Sequence, residues 1–186
     1  MESNFGTNFL TKKNIFGFKK IKKLNTKHRI FNKELGGGVI LDIGCYPVTL
    51  STLIASQISN IDYDKVKIKN IKKDIKSNEV EINASMDIIF ENNFKSNVQA
   101  SFTKKLGNKT RIIGKKGEIV IEDTWLANPS IITIKKDQDE IINIDSAANI
   151  YSYEIDALSR CILDNKMKPD FPGLTIDDII GNMEIM

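Results

Sequence analysis

The chain has few of the side chains that bind transition metals. Its 186 residues include one histidine, His28, and two cysteines, Cys45 and Cys161, which stand far apart. Zinc and iron sites need several such ligands close together, so this composition argues against a metal site. Two distant cysteines also argue against a disulfide framework, and we expect a reducing, cytoplasmic environment.

Long apolar runs and a strong excess of one charge are also missing. The run that follows the glycines is interrupted by Asp42, and nothing approaches the roughly 20 apolar residues of a membrane span. The start of the chain shows no signal-peptide pattern. Twenty-seven basic residues stand against 24 acidic ones, and the lysine pairs are spread along the sequence. Solvated surfaces explain these pairs better than a polyanion-binding face, so we expect neither a membrane nor a nucleic-acid partner.

Residues 64–145 follow a period of two. In EVEINASMDIIF (79–90) every second side chain is apolar and the alternate ones are polar, and the run around 94–102 repeats this pattern. Such alternation is typical of half-buried antiparallel strands, and ENN between the two runs predicts a turn. RIIG, GEIVIED and SIITIKKDQDEIINID predict three or four more strands. We therefore expect a meander of about six strands, with ESNFGTNF near the start as a further short strand.

Three segments carry helical patterns. NIYSYEIDALSRCIL (149–163) has apolar residues at three-to-four spacing, TIDDIIGNMEIM opens with a Thr175 cap, and an apolar segment runs to about Ser56. Consecutive strands and grouped helices predict an α+β fold, with an open, mostly antiparallel sheet and helices packed on one face. The other sheet face is rich in short polar residues, which fits either solvent or a partner subunit.

The segment GGGVILDIGCYPV (36–48) places a carboxylate and a phenol inside an apolar run. Asp42 and Tyr46 are four residues apart and share a face on a helix. Pro47 follows at once and predicts an irregular helix start, since it lacks the N–H that would bond to Ile43. Two interpretations stay open. Asp42 caps a helix and Tyr46 is a core residue, or the pair faces a ligand, with the phenol as general acid/base.

This segment resembles the GGG-x-L-x-D-x-G-x-(His/Tyr) motif of the glucose–fructose oxidoreductase/inositol dehydrogenase (Gfo/Idh/MocA) family. HRIFNKELGGG is similar to the arginine-bearing loop before the family's glycines and contains Arg29. TRIIGKKGEIVIEDTW is similar to a strand pair followed by tryptophan, here Trp125. The segment from residue 151 onward is similar to the family's closing helices. With tyrosine in this motif, the chain resembles the branch of dihydrodiol and xylose dehydrogenases, whereas inositol dehydrogenases carry histidine at that position.

The resemblance implies a C-terminal α+β domain like that of glyceraldehyde-3-phosphate dehydrogenase, beside a Rossmann domain that binds NAD or NADP. It implies hydride transfer at a CH–OH carbon of a sugar or polyol, with Tyr46 as acid/base residue and Asp42 holding the substrate. Arg29 and Trp125 are further candidates for lining the site, although a core position is the stronger expectation for Trp125. The open sheet face implies contacts in a homo-oligomer.

The chain also departs from the family's complete pattern. No glycine fingerprint follows a strand and opens a helix, and the family's Glu-Lys-Pro lysine has no counterpart here. We therefore expect residues 1–186 to form a single C-terminal substrate and oligomerisation domain, truncated at both ends, with the Rossmann domain absent. The alternative is a non-catalytic oligomerising or scaffold domain derived from the same family.

Overall fold

A computed structural model describes residues 1–75, 79–146 and 149–186 of the chain. It is an α+β structure in which the helices lie outside a long sheet, which confirms the predicted fold class. The three α-helices of the described residues are α1 (Cys45–Ser56), α2 (Ser152–Leu163) and α3 (Ile176–Ile185). The strands are β1 (Glu2–Gly6), β2 (Thr11–Lys13), β3 (Lys19–Ile21), β4 (Lys67–Ile75), β5 (Glu81–Ile89), β6 (Lys95–Ser101), β7 (Thr110–Gly114), β8 (Gly117–Ile121), β9 (Ser130–Lys135) and β10 (Glu140–Ile144).

Eight of these strands form one sheet in the order β10-β9-β8-β7-β1-β6-β5-β4, and β2 and β3 form a separate pair. The neighbours in the sheet are antiparallel except β1 and β6, which are parallel. The expected meander of about six strands was too short. Seven strands lie in the period-two region, and β1 joins the sheet between β6 and β7. Residues 76–78 of that region lie outside the described residues.

The period-two pattern places the core as predicted. Val80, Ile82, Ile88 and Phe90 on the alternating face are 0–3% exposed, and their neighbours on the other face stay partly accessible. Burying an aliphatic or aromatic side chain contributes about 1.5–3 kcal/mol, so this face is the main source of stability. Helix α1 packs against β1 and β6 on this side, and α3 packs against α1.

The other face of the sheet carries an ordered set of polar side chains. Asp87 accepts hydrogen bonds from Asn97 (2.6 Å) and Asn70 (2.5 Å), and Gln99 donates to Asn97 (3.2 Å). These amides, Asn97 first, hold the pKa of Asp87 below its ordinary value. The face is therefore organised by its own hydrogen bonds before any partner meets it.

Helix α2 follows its predicted period but is not packed as predicted. None of its residues is buried, and Ile155, Leu158 and Ile162 are all more than 60% exposed. Its apolar side consequently contributes little to the core of the described chain. Helix α3, in contrast, begins at Thr175 with a complete capping box, as the sequence predicted for its start.

One helical stretch, Lys33–Ser56, passes a length and hydropathy test for a membrane span, with a mean hydropathy of 1.6. Half of the tested window is buried inside the folded domain. A core helix packed on a sheet passes the same test, and the contacts of α1 with β1, β6 and α3 account for its apolar side chains. The stretch is therefore weak evidence for membrane crossing.

Candidate functional site

The site predicted around Asp42 lies where the chain enters α1. Residues Ile40–Gly44 form a single π-helical turn that runs directly into α1 at Cys45. Pro47 is buried in the first turn of α1 and has no N–H to give to the preceding turn. Wide turns of this kind often accompany functional sites. The irregular helix start predicted from Pro47 is confirmed.

The glycines before this turn are required by close backbone contacts. A Cβ on Gly37 would lie 2.6 Å from the carbonyl oxygen of Arg29. Gly38 has a φ of 115°, which L side chains rarely adopt, and its amide donates to the Ile30 carbonyl (2.9 Å). The glycine segment thus folds back on the loop that carries Arg29.

The carboxylate of Glu81 lies at the start of the π-turn. Its Oε1 accepts a hydrogen bond from the Ile40 amide (3.2 Å), and a Cβ on Gly38 would overlap it. The first amides of a helix attract anions, and here the chain supplies its own. The glycine segment is therefore not a cradle for the phosphates of a dinucleotide.

Arg29 and Asp42 form an ion pair between the guanidinium Nη2 and the carboxylate Oδ1. The Asp42 side chain is 20% exposed and that of Arg29 is 57% exposed, so the pair lies at the edge of the solvent. The Asp42 amide also donates to the Gly38 carbonyl (3.2 Å). The structure thus brings together two of the predicted site residues, and Arg29 holds the carboxylate in place.

Tyr46 is held by a cluster of aromatic rings. Its ring meets Phe5 edge-on at a centroid distance of 5.5 Å and Trp125 at 6.1 Å, and Phe5 stacks on Trp125 at 5.6 Å. Trp125 is buried, and its indole N–H donates to the Asn4 carbonyl (2.8 Å). Tyr46 itself is 52% exposed, and its hydroxyl has no hydrogen-bond partner within the described residues. The ring is fixed while the hydroxyl is free.

These contacts decide between the expectations for Trp125 and Tyr46. Trp125 is buried, as the sequence favoured, and its ring packs against the Tyr46 ring. Tyr46 is not the core residue of the first interpretation. Nor does Asp42 act as a helix cap, since the cap position of the π-turn is Val39 and has no side-chain bond.

The pKa of Tyr46 is raised above its ordinary value, first by burial and then by Cys45, Tyr151, Asp42 and Glu154. No basic group of the described chain lowers this pKa. The phenol is therefore neutral near pH 7 and in its proton-donating form. Burial likewise raises the pKa of the adjacent Cys45 thiol.

Several residues of the site were missed by sequence reasoning. Phe5 lies in β1 and Glu81 in β5, while Tyr151 and Glu154 lie at the start of α2, more than 100 residues beyond Tyr46. No local pattern links these positions, because they are distant in sequence and meet α1 only in the folded chain. Within residues 1–75, 79–146 and 149–186, no group of three or more potential ligands could hold a metal ion.

Comparisons with known proteins find related sequences. The sequence profile of the GFO/IDH/MocA C-terminal domain matches residues 13–120. The chain is 26% identical over 163 residues to the trans-1,2-dihydrobenzene-1,2-diol dehydrogenase of Xenopus tropicalis, covering 83% of the chain and 47% of that protein. The Xenopus laevis enzyme of the same name is 26% identical over 166 residues, covering 85% and 48%. The chain thus spans about half the length of the curated relatives it matches.

Solved structures show the same fold at lower identity. A 3-ketoreductase from Actinomadura kijaniata in complex with NADP and TDP-benzene has a TM-score of 0.70 at 13% identity, covering 97% of this chain and 49% of that one. An aldose–aldose oxidoreductase from Caulobacter crescentus complexed with glycerol has a TM-score of 0.69 at 18% identity, covering 99% and 50%. Since the profile matches more than half of the sequence and the fold agrees, the chain belongs to the GFO/IDH/MocA family through its C-terminal domain.

Proposed function

We propose that the chain is the substrate-binding part of an NAD(P)-dependent oxidoreductase that acts on a CH–OH group of a sugar or polyol. Tyr46 is the acid/base residue in this proposal, and Asp42 positions the substrate hydroxyl. The observation that carries it is the free, exposed hydroxyl of Tyr46 on a ring that Phe5 and Trp125 hold in place. A purely structural tyrosine gains stability from a bonded hydroxyl, which this one lacks.

The relatives support the class of reaction. The Xenopus proteins are named as diol dehydrogenases, and the structural neighbours are named as a ketoreductase and an aldose oxidoreductase. Each name describes oxidation or reduction at a carbon that bears oxygen. NADP is bound in the ketoreductase structure, which supports NAD or NADP as the cofactor here.

The described residues fit the acid/base half of this chemistry and not the binding of the dinucleotide. The sheet is almost entirely antiparallel, and the carboxylate of Glu81 occupies the helix start that follows the glycines. A dinucleotide-binding domain outside this chain would therefore hold the nicotinamide, which accepts or supplies the hydride. We assign no residue of this chain to cofactor binding.

Each site residue has a separate task. For reduction of a ketone, the neutral phenol of Tyr46 gives its proton to the developing alkoxide oxygen and regains one from solvent. For oxidation of an alcohol, the same oxygen must first lose its proton, which a cation outside this chain would favour. The Asp42 carboxylate accepts a hydrogen bond from a neighbouring substrate hydroxyl, and Arg29 fixes the direction in which that carboxylate points.

The polar sheet face supports a second part of the proposal, a homo-oligomer through that face. Its side chains are short and already hydrogen-bonded to each other, as in the Asp87–Asn97–Gln99 chain. Pre-ordered groups lose little conformational entropy when a second copy covers them. Sedimentation of the chain tests this part, with dimers expected and a purely monomeric species contradicting it.

The catalytic part is tested by Tyr46→Phe in the complete enzyme. The variant keeps the ring contacts and loses only the hydroxyl, so kcat is expected to fall by about 10² or more. Tyr63→Phe is the matched control, because the Tyr63 hydroxyl donates to Asp178 of α3 and lies outside the candidate site. Full activity of Tyr46→Phe would favour the alternative, a non-catalytic oligomerising or scaffold domain.

A further inference from the structure

The strands β2 and β3 form a hairpin that is separate from the main sheet. They pair only with each other in the described chain, with Thr11 opposite Ile21 and Lys12 opposite Lys20. Residues 14–18 form its tip. The Asn14 amide donates to the Phe18 carbonyl (2.9 Å), and the Asn14 side chain accepts from the Phe18 amide (2.9 Å). The tip therefore has a defined conformation that its own hydrogen bonds hold.

The hairpin tip carries three large apolar side chains that no other part of the described chain covers. Ile15 is 93% exposed, Phe16 is 78% exposed and Phe18 is 71% exposed. Single exposed apolar residues are common, but three of them within four positions at the end of a projecting hairpin form a concentrated patch.

The sequence around the tip is strongly basic. Residues 3–33 contain nine basic side chains and no acidic one, whereas the rest of the chain contains 18 basic and 24 acidic side chains. Lys12, Lys13, Lys20 and Lys23 are exposed, and none lies within 4.0 Å of a carboxylate in the part of the chain that the structure describes. Some lysines elsewhere, such as Lys109, are ion-paired. The positive charges of these four lysines are thus unpaired within the described chain.

We propose that this hairpin docks on an anionic lipid surface. Ile15, Phe16 and Phe18 enter the boundary between headgroups and acyl chains, while the lysines of β2 and of the segment after the tip meet the lipid phosphates. Apolar burial and the attraction of each lysine to an anionic surface act together. The expectation of no membrane partner came from the missing span and the spread of lysine pairs. Those two observations argue against a segment that spans a membrane, whereas the hairpin would bind at the membrane surface.

The arrangement of the tip favours a lipid surface over a nucleic acid. Nucleic-acid grooves use aromatic rings between basic side chains, so that bases stack while phosphates are paired. Here the apolar side chains stand at the end of the hairpin and the lysines stand behind them. Ile15, the most exposed of the three, offers no ring for stacking.

The base of the hairpin is tied to the core, so tip variants are expected to fold. Leu10 is 4% exposed, and its amide donates to the Phe102 carbonyl (3.2 Å). On the other side of the hairpin, the Lys22 amide donates to the Leu10 carbonyl (2.7 Å). None of these contacts involves the tip.

Co-sedimentation with lipid vesicles tests the proposal, on this chain and on the complete enzyme of the proposed function. Vesicles of phosphatidylcholine alone are compared with vesicles that contain roughly 30% phosphatidylglycerol, at low and high salt. We expect binding to the anionic vesicles, weakened by salt, and none to the neutral ones. The variant Ile15→Asn/Phe16→Ser/Phe18→Ser is expected to lose at least about tenfold in affinity, because most of the inserted apolar area is gone.

A matched control and a second readout keep the test decisive. Ile113→Asn and Ile141→Asn remove exposed apolar side chains outside the hairpin and should leave binding unchanged. Phe16→Trp should give a blue-shifted emission with anionic vesicles, since the indole enters an apolar layer. Equal binding by the tip variant, an unshifted Phe16→Trp emission, or binding to single-stranded DNA without binding to vesicles would each overturn the proposal. Vesicle binding by this chain but not by the complete protein would also overturn the proposal.

Discussion

Two tyrosine–aspartate pairs flank helix α1, and they differ in one respect. At its beginning, Tyr46 and Asp42 lie side by side with no hydrogen bond between them, and the Tyr46 hydroxyl is free within the described chain. Beyond its end, the Tyr63 hydroxyl donates to Asp178 of α3 (3.1 Å). The first pair is open toward solvent, and the second is closed between α1 and α3.

The closed pair is part of a polar contact that joins the two helices. The Thr52 hydroxyl donates to the Asn182 side chain (2.9 Å), and both residues are buried. Gly181 lets α3 approach so closely that a Cβ there would overlap the Tyr63 ring. Both pairs consist of a tyrosine and an aspartate, so residue type alone does not distinguish a structural pair from a candidate functional site. Satisfied hydrogen bonds mark the structural pair, and an unsatisfied hydroxyl on a fixed ring marks the candidate site.

The largest expected effect separates the two tyrosines by activity. Tyr46→Phe is expected to lower kcat by about 10² or more in the complete enzyme, because the proposed proton donor is lost. Its melting temperature should stay unchanged, because the hydroxyl bonds to nothing in the described chain. Steady-state kinetics and thermal unfolding of the same preparation measure both. A variant that loses stability as well as activity would assign Tyr46 a structural role.

The next effect concerns Gly181→Ala. Alanine normally stabilises a helix interior relative to glycine by about 1 kcal/mol. Here the added methyl group meets the Tyr63 ring, and overpacking of this kind costs about 1–3 kcal/mol. We expect a net loss in the free energy of unfolding, measured by urea denaturation. Met183→Ala, at an exposed position of the same helix, should change stability little, and stabilisation by Gly181→Ala would contradict the packing described.

A smaller effect is expected for Tyr63→Phe. The variant leaves the Asp178 carboxylate without one of its donors, and a hydrogen bond of this kind contributes about 1 kcal/mol. Activity should be retained, in contrast to Tyr46→Phe. Urea denaturation and kcat of the same variant measure the contrast, and reduced activity at full stability would break it.

The same contact predicts how stability depends on pH. Burial first, and then the charge of Asp178, raise the pKa of Tyr63 above its ordinary value of 10.0. Its contribution is therefore complete below about pH 10 and is lost as the pH rises through the folded-state pKa. Burial alone would raise the pKa of Asp178, but hydrogen bonds from Thr175 and Tyr63 lower it. That contribution is present above about pH 4 and is lost as acid protonates the carboxylate. Tyr63→Phe should remove the alkaline loss in a thermal-unfolding series.

The smallest effect is expected for Glu81→Gln. The amide oxygen can still accept from the Ile40 N–H, but the negative charge at the helix start is lost, which costs about 0.3–1 kcal/mol. Glu81→Ala removes the acceptor as well and should cost more. Thermal unfolding ranks the two variants, and equal stability of both would show that this carboxylate does not stabilise the π-turn.

Local patterns predicted much of this fold, since they depend on neighbouring residues. The alternation in β5 and β6, the Thr175 cap and the irregular start at Pro47 all rest on contacts within a few positions. The place of β1 between β6 and β7 does not, since its partners lie more than 90 residues away. For the same reason the sequence pointed to Asp42 and Tyr46 as candidates but could not show that Phe5 packs on the Tyr46 ring or that Glu81 bonds to the π-turn.

The most direct test of the central claim is the pH dependence of kcat in the complete enzyme, compared between the unmodified protein and Tyr46→Phe. If Tyr46 transfers the proton, the unmodified enzyme shows a titrating limb that disappears in the variant, together with the fall in kcat. The affinity for NAD(P) should change little, since we propose that the dinucleotide binds outside this chain. The same titrating limb and an undiminished kcat in the variant would contradict the assignment.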